Sequence, residues 1–266
     1  MSFYCDDVKI VERLSFPCVP RLSRDNPRAA DGAGRVDRGI FGQNRSGPGM
    51  SETIEAQERV TAPRPYHHGD LARVLAEAAA ALVRETGVNG FSLRECARRA
   101  GVAHSAPGHH YGDVTGLLTE VAARGFLDLA RALASACSGT SGAPVLARLA
   151  RRYVDFALTD PIIFGLMFHS DRVNRGSPRF QRAGEEAFAQ LVRAVAEARG
   201  QPTADADALR FAWASMHGMA MLLIDGPLVP AGGNRRGGAA DLATGTIERM
   251  VFAVTRFDGQ RKSRSG

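Results

Sequence analysis

Lysine is nearly absent: Lys9 and Lys262 are the only two among 34 basic residues. With so much alanine and glycine, this arginine excess reads as the codon bias of a GC-rich genome and not as a phosphate-binding signal. Cysteine is scarce as well. Cys5, Cys18, Cys96 and Cys137 show neither metal-ligand spacing nor the gaps of a disulfide framework, which points to a reducing cytoplasm. The longest apolar run, Met219–Ile224, falls far short of the ~18 residues that a membrane span needs, so no membrane partner is expected. Residues 1–20 lack the basic start, apolar middle and small-residue cleavage site of a signal peptide. Strand signals are missing too, since β-branched residues are few and no stretch alternates. Nor is there a phosphate-cradling glycine loop, a nucleophile elbow or an acid–base pair at a telling spacing. No catalytic residue, enzymatic activity or cofactor is therefore expected.

What remains is an all-α pattern in a chain of 266 residues with a net charge of +6. The charge permits an anionic partner without demanding one. Residues 1–63 scatter Gly, Pro, Arg and Asp with no sustained period and read as a disordered extension. Met50 opens a more ordinary run, so Met50 is expected as the true start, with residues 1–49 untranslated. An intact mass of natively expressed protein that includes 1–49 would overturn that expectation. Order begins near "YHHGDL". Asp70 is a candidate N-cap, followed by Leu71, Val74, Leu75, Ala78 and Leu82 on one helical face, with Gly87 as the stop. Ser92 caps a short helix, "LRECARRA", and Gly101 turns the chain. Asp113 caps a longer helix. From 143 onward further helices are expected over 144–159, 161–169, 178–199, 204–225 and 239–257, with 231–240 a flexible loop and 259–266 a basic tail.

The stretch "GVAHSAPGHHYGD", 101–113, decides the functional reading. Two helices with a sharp glycine turn between them, behind a first helix, describe a helix-turn-helix. Ala97, four residues before Gly101, allows a close crossing, and Val102 can plug the core beneath the turn. The recognition helix is then expected over 103–111, with Pro107 tolerated in its first turn. A metal at His104, His109 and His110 is the competing reading. Their i, i+5 spacing is poor for a helix and no acidic or cysteine partner lies nearby, so no metal is expected.

At this point the chain resembles the TetR-type transcriptional regulators. The resemblance runs through "LARVLAEAAAALVRETGVNGFSLRECARRAGVAHSAPGHHYGDVTGLLTEVAARGF" and spans 64–258. "YHHGDL", "GVAHSAP" and "FAWASMHGMAMLLIDG" are similar to one subgroup, marked by a Trp-His-Gly motif in its effector domain; here this is Trp213, His217 and Gly218. The resemblance implies a helix-turn-helix DNA-binding domain over 64–112 and a helical effector-binding and dimerisation domain over 113–258. It implies a homodimeric repressor on a two-fold symmetric operator in double-stranded DNA, relieved by a small effector. Carried over by position, base-edge contacts fall to Ala103, His104, Ser105 and Ala106. His109, His110 and Tyr111 reach phosphates or brace the helix, and Arg64 and Ser92 join the DNA-binding set. The helix N-terminus at 114 would offer amides to a phosphate. The chain departs from the family at Gly108, usually tyrosine, and at Val114, usually lysine, both phosphate contacts. A chain that binds a ligand or a protein partner without reading DNA is the alternative these departures leave open.

"DPIIFGLMFHSD", 160–171, is apolar all round and is either plain core or the lining of a site for an apolar or amphipathic effector. The candidate lining is Tyr153, Phe156, Phe164, Met167, Phe168, His169, Trp213 and His217. Trp213 and His217 share a helix face at i, i+4 and have a purely structural reading as well. The surface of "LRFAWASMHGMAMLLIDG" is too wide for one side of a monomer. The resemblance places the subunit contact on the last two helices, with Met216, Met219, Leu223, Met250 and Val254 as candidates. The pairs Arg98–Arg99 and Arg151–Arg152 read most simply as solvated faces, and only the first lies near enough to the turn to meet DNA.

Overall fold

The structure, a computed structural model, describes residues 68–226, 228 and 235–256, with the side chains of 68–70 and 235–241 excepted. Arg64, the 1–63 extension and the 259–266 tail lie outside the described residues. All described residues belong to one compact unit and, among them, every regular element is a helix. The order is α1 (His68–Thr86), α2 (Leu93–Arg99), α3 (Ala106–Tyr111), α4 (Val114–Cys137), α5 (Ala143–Thr159), α6 (Pro161–Phe168), α7 (Pro178–Ala198), α8 (Ala206–Asp225) and α9 (Arg235–Thr255).

Helix α1 buries Leu75, Ala76, Ala79, Leu82 and Val83; of the expected stripe Leu75 and Leu82 are buried, while Leu71, Val74 and Ala78 are not, so the inward face is rotated toward 76, 79 and 83. It begins three residues earlier than expected, so Asp70 sits in its first turn rather than at the cap. Gly87, at φ +71°, ends it. The chain then makes the sharp turn foreseen at Gly101, at φ +65°, where the Val102 N–H donates to Ala97 O at 3.1 Å. Cys96 and Ala97 are buried against α1. Helices α1 and α3 pack on α4, and α2 packs on α1 and α3.

The long α4 is the axis of the fold. It packs most extensively against α7, with α5 and α6 alongside. At Gly125 an added Cβ would lie 2.7 Å from Met167 Sδ, so α6 crosses α4 at a point where any larger residue must displace the Met167 side chain. Asp160 caps α6 through the Ile163 N–H at 3.2 Å and pairs with Arg84 of α1 at 2.7 Å. Helices α8 and α9 pack on each other and on α5. One continuous core runs from Leu75 to Val254.

Helix α9 starts at Arg235, so residues 235–238 are helical where a loop is expected. Gly237 and Gly238 each cost about 1 kcal/mol of helix propensity. Each residue added to an existing helix also gains a backbone hydrogen bond, and α9 is anchored downstream by the buried Ala243, Ile247, Met250 and Val254. That buried stripe is itself a correction. Met250 and Val254, with Met216 and Leu223 of α8, are no more than 4% exposed; they are core of their own chain and offer no surface to a partner. Met219 is half-buried against the same core.

Candidate nucleic-acid face and aromatic cleft

Helix α3 spans only Ala106–Tyr111, and residues 103–105 form a turn ahead of it. Proline is the cause. A helix reaching back to Ala103 needs the N–H of residue 107 on the Ala103 carbonyl, and Pro107 has none. Ala106 N–H takes that carbonyl instead, at 2.9 Å. Pro107 is buried, while Ala103, His104, Ser105, Gly108, His109 and His110 are exposed and Ala106 is half-buried. Exposed Ser92 sits at the N-cap of α2, although its side chain makes no cap hydrogen bond.

Tyr111 takes the bracing role. Its hydroxyl donates to Ala72 O at 2.7 Å, tying α3 to α1. At the start of α4 the Gly116 N–H donates to the Asp113 carboxylate at 2.8 Å. An anion approaching this helix end therefore meets a carboxylate already on the amides. The arginines beside the turn are engaged as well. Glu95 accepts from Arg98 at 2.7 and 2.8 Å and from Arg99 at 2.8 Å, and Arg99 also holds Glu85 at 2.6 Å. The hydrogen bonds from Arg98 and Arg99 bring the Glu95 carboxyl down to about 2. Arg151 and Arg152 are exposed, as solvated faces should be.

A second feature is a narrow apolar cleft with about 30 Å³ of free space, walled by α4, α5, α6, α7 and α8. Tyr153, Phe168 and Trp213 line it, as expected from the sequence. Phe126, Leu129 and Leu133 of α4 and Ala187, Phe188 and Leu191 of α7 line it too. Sequence reasoning missed these, since their spacing is that of any amphipathic helix. Met216, expected at a subunit contact, faces the cleft instead. Gln181 and Glu185 are its polar edge.

The remaining expected lining residues lie close by. Phe164 is fully buried, packing its ring on Tyr153 at 5.7 Å and on Phe168 at 4.7 Å. Met167 is fully buried at the Gly125 crossing and Phe156 is half-buried against the core; neither lines the cleft. His169 is exposed at the end of α6. His217 stacks on Trp213, ring centroids 5.2 Å apart and planes 8° from parallel. Its Nδ1 is 2.8 Å from the Tyr153 hydroxyl. Burial, and then the neighbouring His169, push the imidazole down to about 4, so it is neutral at physiological pH. Gly218 has nothing within 4 Å of an added Cβ, so no helix of its own chain approaches it closely.

Residues 146–245 match the family of tetracyclin repressor-like C-terminal domains. The match gives the chain a tetracyclin repressor-like C-terminal domain. The chain is 33% identical to a protein of unknown function from Rhodococcus sp. RHA1; the match covers 73% of this chain and all of that one, with a TM-score of 0.62. It is 29% identical over 89 residues to the HTH-type transcriptional regulator YobS of Bacillus subtilis (strain 168), 34% of this chain and 47% of that protein. The chain thus spans about half the length of the curated relative it matches. A transcriptional regulator FadR from Bacillus subtilis, solved with stearoyl-CoA, shares the fold at 12% identity, with 67% of this chain and 97% of that one covered and a TM-score of 0.54. Among the described residues no helix is long and apolar enough to cross a membrane.

Proposed function

We propose that the chain is a cytoplasmic transcriptional repressor that binds a two-fold symmetric DNA operator as a homodimer and releases it when a small apolar or amphipathic effector enters the aromatic cleft. The division of labour is 64–112 for reading DNA and 113–258 for effector and partner. The observation that carries the reading is the helix-turn-helix itself: a short helix, a turn at Gly101, and a second helix whose leading residues are exposed while Tyr111 and Pro107 anchor it from behind. Side chains in that position enter a major groove. His104 can donate to a guanine acceptor or a phosphate, Ala106 can pack on a thymine methyl, and His109 and His110 lie on the flank toward phosphate. Membership of the subgroup marked by Trp213, His217 and Gly218 belongs to the same reading.

Two further features support it. The cleft is apolar and its only charged lining residue is the acidic Glu185, which favours an effector whose buried part carries no negative charge. The outward faces of α8 and α9 expose Phe211, Leu222, Leu242 and Phe252. Gly218 lies on the Phe211–Leu222 face, at helical spacing from both, and its open side leaves room for a second subunit. An effector releases DNA by favouring a state in which the two reading helices no longer match successive major grooves, and only to the extent of its differential affinity for the two states.

The test is fluorescence anisotropy with the chain's own upstream intergenic DNA over a salt series, beside a random fragment. Binding tighter than the control and falling with salt is expected. Residues 101–115 contain no lysine or arginine. The phosphates that the family usually holds at the positions of Gly108 and Val114 should therefore be missing from the log–log slope, at about one unit each. Equal affinity for both fragments at every salt concentration would overturn specific reading of that operator and favour a ligand- or partner-binding protein.

A further inference from the structure

Beside the cleft, on its solvent edge, three soft or borderline donors converge from two helices. His217 and Met221 lie on α8 at i, i+4, which puts them on one face. His169 reaches them from the end of α6, with its Nε2 3.2 Å from Met221 Sδ. The His169 and His217 ring centroids are 5.7 Å apart. Two donors 3.2 Å apart both reach one ion when the bonds are about 2.0 Å to nitrogen and 2.3 Å to sulfur, at an angle of roughly 95°. Two imidazoles bound through ring nitrogens to one ion place their centroids no more than about 6 Å apart. Both separations in this cluster satisfy those limits without rearranging the helices.

The second ring nitrogen of His217 is already committed. Nδ1 is 2.8 Å from the Tyr153 hydroxyl; in the tautomer in which Nδ1–H donates to that oxygen, Nε2 carries the free lone pair. Holding the distal nitrogen of a histidine to fix the tautomer and orient the ring is how metal-ligating histidines are prepared. His169 is exposed, so an ion has a path in from solvent. Among the described residues no group of three His, Cys, Asp or Glu has metal-binding proximity; this cluster differs in drawing its third donor from a thioether.

We propose that His169, His217 and Met221 form a three-donor site for a soft monovalent metal ion, Cu(I) or Ag(I). The donor set selects the class. A thioether is a poor ligand for hard cations and a good one for Cu(I), while imidazole suits copper as well. The site stands apart from the reading of the cleft as an effector pocket and from DNA binding, and it can fail without either.

Trp213 is the only tryptophan of the chain and is stacked on His217, so it reports on this site directly. Cu(I), handled anaerobically with bicinchoninate as competing chelator, is titrated into the full chain while Trp213 fluorescence is followed. One equivalent that changes Trp213 emission saturably is expected, over and above any copper taken by the four cysteines. His169→Ala and Met221→Leu should each abolish that response or weaken it by about tenfold or more, with unchanged far-UV circular dichroism. Tyr153→Phe, which frees His217 Nδ1, should weaken it about tenfold, and Cys137→Ser should leave it as it is. Absence of a saturable Trp213 response in the native chain would overturn the proposal. So would a response that survives both His169→Ala and Met221→Leu.

Discussion

A Cβ built on Gly116 would lie 1.9 Å from the Tyr111 carbonyl oxygen, so the end of α3 rests on bare backbone at the start of α4. Gly116→Ala must push the two apart, at a cost of about 1–3 kcal/mol typical of overpacking. Because the displaced element is α3, DNA affinity should fall together with the melting temperature. A thermal melt paired with anisotropy checks both, and a variant that melts normally and binds normally would show that the junction yields cheaply. His217 gives a residue-scale prediction of opposite character. Its folded pKa, about 4, is below the ordinary value for histidine of about 6.5. The unfolded chain therefore binds more protons than the folded one between those values. This stabilisation is complete above pH 6.5 and is lost as pH falls toward 4. Allowing for partial exposure, it amounts to roughly 1–2 kcal/mol. Melting temperatures of the native chain and His217→Gln between pH 7 and pH 4.5 should converge as pH falls; parallel curves would remove His217 from the acid sensitivity.

At the scale of elements, the buried stripes were legible wherever hydrophobic spacing alone decides. Leu75, Leu82, Leu117, Leu118, Leu129 and Leu133 face the core as their spacing requires. The limits of α3 were not, because they depend on one missing N–H at Pro107 and not on a pattern. The cleft was half legible for a related reason. The aromatic residues of α5, α6 and α8 announce themselves by composition, whereas the α4 and α7 walls are ordinary amphipathic helices until tertiary packing sets them face to face. The tie between those two walls is polar. Glu120 of α4, 8% exposed, accepts from Arg124 at 2.7 Å and from Arg179 of α7 at 2.9 Å. Glu120→Gln removes a mostly desolvated charge that two guanidinium groups share, and should cost roughly 1–3 kcal/mol. Glu77→Gln breaks an exposed pair with Arg73 and should cost under about 0.5 kcal/mol. Urea midpoints of the two variants side by side measure the difference, and equal midpoints would mean that the α4–α7 tie is no stronger than a surface pair.

For the whole molecule, the sequence marked α8 and α9 as candidates for assembly through residues that the fold turns inward. An apolar surface too wide for one face has two sides, and spacing alone does not say which one the chain keeps for itself. Met216, Leu223, Met250 and Val254 went inward to α5 and the core, leaving Phe211, Leu222, Leu242 and Phe252 outside, with Phe252 at 56% exposure under the Arg256 guanidinium. Burying a large apolar side chain is worth about 1.5–3 kcal/mol, and a two-fold interface counts each substitution twice. Leu222→Glu and Phe252→Glu should therefore each raise the dimer dissociation constant by more than about a hundredfold while leaving the melting temperature of the monomer nearly unchanged, since neither side chain holds its own core. Met250→Ala should behave in the reverse way, costing about 2–5 kcal/mol of folding stability through the cavity it opens. Sedimentation velocity at micromolar concentration separates the cases. If both glutamate variants sediment as the native chain does, the α8–α9 outer face is not where two copies meet, and a two-fold operator would have to be read by subunits joined elsewhere.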